Sequence, residues 1–167
     1  MKGRVFDDDR VADSIEGLIK LCDDWIRPNM VMAEIGCFRG VSTAIFAARC
    51  AKVYAIDPWL SRTDYFEIPR DMMAIAEAQF DIMAKAFSNI IKRKGFSVER
   101  AKEFPDESLD AVYIDGDHSE FSVDLVTWAP KVKHRGLIMG HDYSCVNGQL
   151  QRGVIIYPEE SWVYRNT

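Results

Sequence analysis

The fold is decided by residues 31–43, which read VMAEIGCFRGVST. The first five of these residues form a short apolar run that ends at Gly36, as is typical of a strand buried on both faces of a parallel sheet. Gly36 and Gly40 allow the chain to turn tightly and a ligand to approach the backbone closely. Ser42 or Thr43 can then cap a helix. The stretch therefore predicts a strand, a tight turn and a helix in succession.

Short apolar runs of the same kind alternate with helical patterns along the chain. Further strands are predicted at 52–56, 95–99, 110–114 and 136–139. Helices are predicted from an apolar stripe between Val11 and Ile26, a second stripe between Met73 and Ile90 that ends at Gly95, and a shorter segment at 120–128. This alternation predicts a doubly wound α/β fold, with a mostly parallel sheet and helices on both faces. Residues 153–158 and 161–165 are expected to add a short antiparallel C-terminal hairpin, and residues 61–70 are a candidate lid or substrate loop.

Composition limits the classes of protein to which the chain can belong. Its 167 residues, 48% of them hydrophobic, predict a single domain over 1–167 and exclude disorder as the dominant state. No apolar run approaches the roughly 20 residues of a membrane span, and a net charge of −5 disfavours nucleic acid as a partner. The four cysteines lack metal-like spacing and no secretory leader opens the chain, so we expect a reducing, cytoplasmic setting.

The predicted strands all end in acidic residues. Ligands of open parallel sheets bind beyond the carboxyl ends of the strands, so chemistry is expected there. Asp57 ends the second strand about 20 residues after Gly36, where a carboxylate can accept hydrogen bonds from both ribose hydroxyls of a nucleoside. Position 38 is Phe rather than the Gly of a dinucleotide fingerprint, and Glu34 would lie near the phosphates. The pattern therefore favours S-adenosylmethionine, which carries an ammonium and a sulfonium, over a dinucleotide.

Two segments, Glu34 to Ser42 and Ile56-Asp57-Pro58-Trp59, resemble class I S-adenosylmethionine-dependent methyltransferases, which have a Rossmann-like fold. The runs 108–119, 128–130 and 136–143 are similar to those of a small subgroup that includes the macrocin O-methyltransferase-like enzymes. The resemblance implies that Glu34, Gly36 and Gly40 border the methionine moiety, that Asp57 holds the ribose, and that Ser97 and Glu99 lie near the adenine. Trp59 would line the acceptor pocket or cover the edge of the core. The full set of implied cofactor-binding residues is Glu34, Gly36, Cys37, Phe38, Gly40, Ser42, Asp57, Pro58, Trp59, Ser97, Glu99 and Asp115.

The ends of the fourth and fifth strands carry candidate metal ligands. Neighbouring strands lie about 5 Å apart, so Asp115, His141 and Asp142 can converge on one point. The macrocin-like relatives hold Mg²⁺ with carboxylates from these two strand ends, and Asp115 and Asp142 match by position. His141 stands where some relatives have an acidic residue, which permits a softer metal. Asp117 follows the same strand as Asp115, and it can cap the following helix.

Methyl transfer to oxygen requires that the acceptor hydroxyl lose its proton, which His118, His141 or Asp115 could accept. Each histidine could instead have a structural role at its strand end. We therefore expect a methyltransferase that modifies an oxygen of a small molecule of sugar or natural-product type, with or without a divalent metal. The alternatives are a nicotinamide-dependent oxidoreductase and a non-catalytic S-adenosylmethionine-binding module. Because little sequence follows Tyr143, we expect the acceptor side to be open or to be completed by a second subunit in a homo-oligomer.

Overall fold

A computed structural model describes residues 8–60, 70–150 and 153–167. The candidate lid at 61–70 lies almost entirely outside these residues. Seven strands form one sheet in the order β3-β2-β1-β4-β5-β7-β6, in which β1 to β5 are parallel and β7 runs antiparallel to β5 and β6. The strands span Val31–Ile35 (β1), Lys52–Asp57 (β2), Ile90–Lys94 (β3), Leu109–Ile114 (β4), Val132–Gly140 (β5), Ile155–Ile156 (β6) and Trp162–Arg165 (β7).

Six α-helices accompany the sheet in the described part of the chain. They span Asp8–Trp25 (α1), Val41–Ala47 (α2), Arg70–Ala84 (α3), Ser97–Ala101 (α4), Phe121–Trp128 (α5) and Tyr143–Val146 (α6). Successive residues of each central strand point to opposite faces, so Met32 packs with α1 and α2 while Ala33 packs with α4 and α5. The α/β fold with helices on both faces and an antiparallel C-terminal pair is thus confirmed.

One predicted strand and the end of one predicted helix are wrong. The second apolar stripe was expected to stay helical to Ile90, but α3 ends at Ala84 and Ile90 begins β3. The strand expected at 95–99 is instead a turn followed by α4. The strand β3 was missed because its sequence, IIKRK, is mostly cationic rather than apolar. Two of its cations, Lys92 and Lys94, form ion pairs with Glu77 of α3.

No helix within the described ranges combines the length and the apolar character that crossing a bilayer requires. Three of the four cysteines (Cys22, Cys37 and Cys50) are buried as free thiols, and Cys145 is exposed. Burial raises the pKa of the Cys22 thiol to about 12, so this side chain packs as a small neutral group.

Candidate active site

The carboxyl ends of four parallel strands meet at one edge of the sheet. Ile35 of β1 lies beside Ile56 of β2 and Ile114 of β4, and Ile114 lies beside Gly140 of β5. The ladder continues one step beyond, since the Asp115 N–H donates to the Ile35 carbonyl at 2.9 Å. The ends of β2, β1, β4 and β5 therefore lie side by side, as the sequence predicts.

The turn between β1 and α2 needs both of its glycines for packing. Gly36 has φ 87°, and a Cβ there would lie 2.3 Å from the Asp115 carbonyl oxygen. Gly40 has φ 86°, and a Cβ there would meet the Met83 and Phe80 side chains of α3. The tight turn expected from these glycines is confirmed, and the close packing of the protein against them is a second reason for their presence; the approach of a ligand stays a prediction.

Glu34 points away from the open edge and into the start of α2. It is fully buried, and its two carboxylate oxygens accept hydrogen bonds from the Ser42 and Thr43 hydroxyls. The direction follows from strand alternation, because Glu34 shares a face with Met32. Burial raises the pKa of Glu34 to about 7. In this conformation Glu34 and Ser42 fix the turn, and their predicted contact with a cofactor stays a prediction.

Replacing Glu34 with glutamine is expected to flatten the pH dependence of stability. The pKa of Glu34 is about 7 in the folded protein against an ordinary 4.5, so the folded state holds the extra proton between these values. The free energy of unfolding of the wild type should therefore fall as the pH rises from about 4.5 to about 7, by at most roughly 3 kcal/mol from this group. Urea unfolding at about pH 5 and about pH 8 measures the effect. Parallel pH profiles for the variant and the wild type would contradict it.

Asp57 lies at the end of β2 and is already held by backbone groups. Its Oδ2 accepts from the Phe38 N–H at 2.9 Å and its Oδ1 accepts from the Trp59 N–H at 2.6 Å. Burial raises its pKa, and these two N–H donors oppose that rise. The Cys37 N–H also lies against this carboxyl, and because a carboxylate has about four acceptor positions, at least one remains for a ligand.

The other predicted contacts of this region belong to the core. Trp59 is buried, its ring centroid lies 4.9 Å from that of Phe80, and its Nε1 donates to the Phe38 carbonyl at 2.8 Å. These contacts support the alternative in which Trp59 covers the edge of the core. Cys37 is also buried, with its Sγ near the Glu34 and Ile56 carbonyl oxygens, and Pro58 joins Asp57 to Trp59.

The predicted adenine side lies at the start of α4. Ser97 is half-buried there and its Oγ accepts from the Trp128 Nε1 at 2.7 Å, while Glu99 is exposed. Asp124 of α5 is a buried carboxyl that the sequence analysis missed; burial raises its pKa to about 6, and a hydrogen bond with Ser97 opposes that rise. The sequence does single out this residue, because Asp124 is the one charged residue between Phe121 and Trp128.

Asp115, His118 and Asp142 form a compact group of metal-type donors within the described residues. One donor atom from each lies within 4.8 Å of the others. The His118 Nε2 is 2.9 Å from the Asp142 Oδ2, and Asp142 has the left-handed φ of 52°. Burial raises the pKa of Asp115 to about 7, with His141 lowering it and Asp142 raising it further. Two carboxylates and an imidazole converging in this way could hold a divalent cation.

His141 lies beside this group but is not one of its three members. Its Nδ1 is 3.3 Å from the Asp142 Oδ1, and the backbone of Glu159 also lies against its imidazole. The contact with Asp142 raises the pKa of His141 and lowers that of Asp142. Asp117 caps the next turn by accepting from the Ser119 N–H at 2.9 Å, which confirms its alternative capping role.

The chain matches a known protein family, and its fold resembles those of several solved structures. The model of a family described as a methyltransferase domain matches residues 33–143. A Streptococcus mutans protein in complex with S-adenosylhomocysteine has a TM-score of 0.68 at 12% identity, over 92% of this chain and 98% of that one. The N-methyltransferase NodS from Bradyrhizobium japonicum has a TM-score of 0.61 at 15% identity, over 97% of this chain and 99% of that one.

A precorrin 8w decarboxylase from Methanobacterium thermoautotrophicum has a TM-score of 0.59 at 18% identity, over 99% of this chain and 92% of that one. Comparison of the sequence with curated proteins finds no match. Because these structures are so distant in sequence, they show a shared fold and leave the reaction to be argued from the residues of the site.

Proposed function

The chain belongs to the methyltransferase-domain family, and we propose that it binds S-adenosylmethionine and transfers the methyl group of that cofactor to an acceptor. The observation that carries the proposal is the position of Asp57. Its carboxylate lies at the end of β2 beside the 36–40 turn, held by backbone N–H groups and with an acceptor position left over. This is the place in an open sheet where a nucleoside ribose is held.

The charge of the edge supports the same cofactor. Asp57, Asp115 and Asp142 follow β2, β4 and β5, three of the four parallel strands that end at this edge, and their combined negative charge suits a ligand with an ammonium and a sulfonium group. The phosphates of a dinucleotide would face that charge unfavourably. We infer that Asp57 accepts the ribose hydroxyls, and that the 36–40 turn and Asp115 border the rest of the cofactor.

A divalent metal is part of the proposal. The donors present fit such an ion, because Asp115, His118 and Asp142 offer two carboxylates and one imidazole within 4.8 Å. His141 is the third ligand expected from the sequence. We propose His118 instead, because His118 has a donor atom within 4.8 Å of donor atoms on both Asp115 and Asp142, and His141 is not part of that group. A metal bound there would lower the pKa of an acceptor hydroxyl.

We propose that the acceptor atom is an oxygen of a small molecule of sugar or natural-product type. A hydroxyl must lose its proton to attack a methyl group, and the site contains groups suited to accept it. His141 lies beside the proposed metal ligands, and its contact with Asp142 raises the pKa of its imidazole, which suits it to take up the proton. An amine acceptor, as the name of NodS implies for that protein, is the second candidate.

The test is incorporation of label from methyl-tritiated S-adenosylmethionine into acceptors supplied as matched hydroxyl and amine pairs. We expect label in a hydroxyl compound and loss of that activity on treatment with EDTA. Label in the amines alone would contradict the proposed oxygen chemistry while leaving methyl transfer intact.

The alternatives separate in a thermal-shift comparison. S-Adenosylhomocysteine should raise the melting temperature and NAD should not, and the reverse would favour a nicotinamide-dependent oxidoreductase. A non-catalytic binding module would show the shift yet never consume the cofactor with any acceptor. We further infer a reducing, cytoplasmic setting from the buried free thiols Cys22, Cys37 and Cys50.

A further inference from the structure

The turn at 158–160, between β6 and β7, is strained. Glu159 and Glu160 have φ values of 54° and 65°, so two successive residues with side chains occupy the left-handed region. Each costs about 1–3 kcal/mol there and persists only where surrounding contacts fix the backbone. The turn lies beyond residue 143, where the family match ends.

The two glutamates of this turn accept hydrogen bonds from two different helices. The Glu159 Oε2 accepts from the Gly17 N–H of α1 at 3.0 Å, and a Cβ on Gly17 would lie 1.8 Å from the Pro158 carbonyl oxygen. The Glu160 Oε2 accepts from the Ser144 N–H at 3.1 Å and from the Ser144 hydroxyl at 2.7 Å. The turn is therefore packed against α1 on one side and holds the first turn of α6 on the other.

Asp142 lies between two contacts that come from this C-terminal segment. Before it, the His141 carbonyl accepts from the Trp162 Nε1 at 2.9 Å. After it, Ser144 is held by Glu160. Asp142 itself has φ 52° and ψ 48°, a conformation that aspartate adopts only at some cost without local support.

We propose that Glu160 is a positioning residue for Asp142. By holding Ser144, its carboxylate keeps Asp142 in the left-handed conformation in which the Asp142 Oδ2 meets the His118 Nε2 at 2.9 Å. The site is then completed by a segment outside the family match. This inference rests on the proposed function of Asp115, His118 and Asp142 as metal ligands.

The experiment compares four variants of the full chain with the wild type. Glu160→Ala removes both contacts to Ser144, and Glu160→Gln keeps an oxygen that can accept them. Ser144→Ala removes only the hydroxyl contact. Glu159→Ala is the matched control, because it removes the neighbouring carboxylate of the same turn, whose contact is with Gly17.

Three readouts separate positioning from a general loss of stability. Calorimetry with Mn²⁺ measures the affinity of the site, and calorimetry with S-adenosylhomocysteine measures that of the cofactor side. A ¹H–¹⁵N imidazole correlation spectrum reports the three histidines, of which His134 is exposed and serves as the internal reference.

Glu160→Ala is expected to weaken Mn²⁺ binding by about 10-fold or more, the scale found for residues that orient metal ligands. It should also move the His118 signals but not those of His134. Glu160→Gln and Glu159→Ala should bind Mn²⁺ within about 3-fold of the wild type, and all variants should bind S-adenosylhomocysteine equally. Should Glu160→Ala fail to fold, Ser144→Ala is expected to show the same changes at smaller size.

Wild-type Mn²⁺ affinity and unchanged His118 signals in Glu160→Ala would overturn the inference. A wild type that binds no Mn²⁺ would instead remove the metal from the proposed function. The His118 signals of Glu160→Ala would then still decide whether Glu160 positions Asp142.

Discussion

Replacing Asp57 with asparagine is expected to weaken the binding of S-adenosylhomocysteine by about 100-fold or more. The carboxylate would accept charge-assisted hydrogen bonds from the ribose hydroxyls, and each such bond contributes roughly 1.5–3 kcal/mol. The asparagine amide group would also present N–H donors to the Phe38 or Trp59 N–H, which now donate to Asp57. Calorimetric titration of wild type and variant with S-adenosylhomocysteine measures the loss.

The loss must be separated from a general effect on stability. Asp110→Asn is a matched control, because the Asp110 carboxylate also accepts from a backbone N–H, that of Val31, at 2.8 Å, but at the opposite end of the strands. It should lower stability without changing the affinity for S-adenosylhomocysteine. Removing the two ribose hydroxyls from the ligand gives a second check. The wild type should bind adenosine more tightly than 2′,3′-dideoxyadenosine, and Asp57→Asn should bind the two with similar affinity. An unchanged affinity in Asp57→Asn would show that the ribose is not held here.

Replacing Asp142 with alanine is expected to lower Mn²⁺ affinity by about 100-fold or more, with S-adenosylhomocysteine affinity changed by no more than about 2-fold. The variant loses one of three converging donors and the partner of the His118 Nε2. Orienting residues alone change metal affinity 10–100-fold, so loss of a ligand should exceed that range. Mn²⁺ calorimetry and the metal content of the purified protein check this.

Asp106→Ala provides the control for Asp142→Ala. Asp106 is an exposed carboxylate paired with Lys131, and it precedes β4 at the end of the sheet away from Asp115. It should leave Mn²⁺ binding unchanged. If Asp142→Ala retains both the metal content and the EDTA sensitivity of the wild type, the metal site is elsewhere or absent.

The central strands could be predicted because each is a short apolar run that ends in a recognisable polar motif. The strand β1 was predicted with its observed bounds, and β2 and β4 to within one residue. Burial on both faces requires such apolar runs, so the composition of these strands reports their position in the sheet. The antiparallel pair at the C-terminus could be predicted from its two short apolar runs, although β6 is exposed.

The edge strand β3 could not be predicted from apolar content. Its sequence IIKRK carries three cations, which contact acidic and aromatic groups on its neighbours. Phe87 and Ile90 continue the helical spacing of the preceding stripe, so periodicity placed the end of α3 too late. Charged side chains, lysine above all, are common on edge strands because they oppose pairing with another chain.

The site could be located from the sequence, but its side-chain contacts could not. Strand ends identify which edge of the sheet is polar, whereas the partner of each group depends on loop geometry. Glu34 was predicted to contact the cofactor. Residues two apart in a strand share a face, however, so Glu34 lies on the same face as Met32, which packs against α2. The choice between His118 and His141 depends on the conformation of Asp142, and the role proposed for Glu160 depends on a contact 16 residues away in sequence.

The central claim is that the carboxyl edge of this sheet binds S-adenosylmethionine. Calorimetric titration of the folded wild-type protein with S-adenosylhomocysteine tests it most directly. We predict one saturable site with a Kd in the micromolar range, about −8 kcal/mol, and no comparable binding of NAD. Folded protein that gives no saturable binding of S-adenosylhomocysteine would contradict the account.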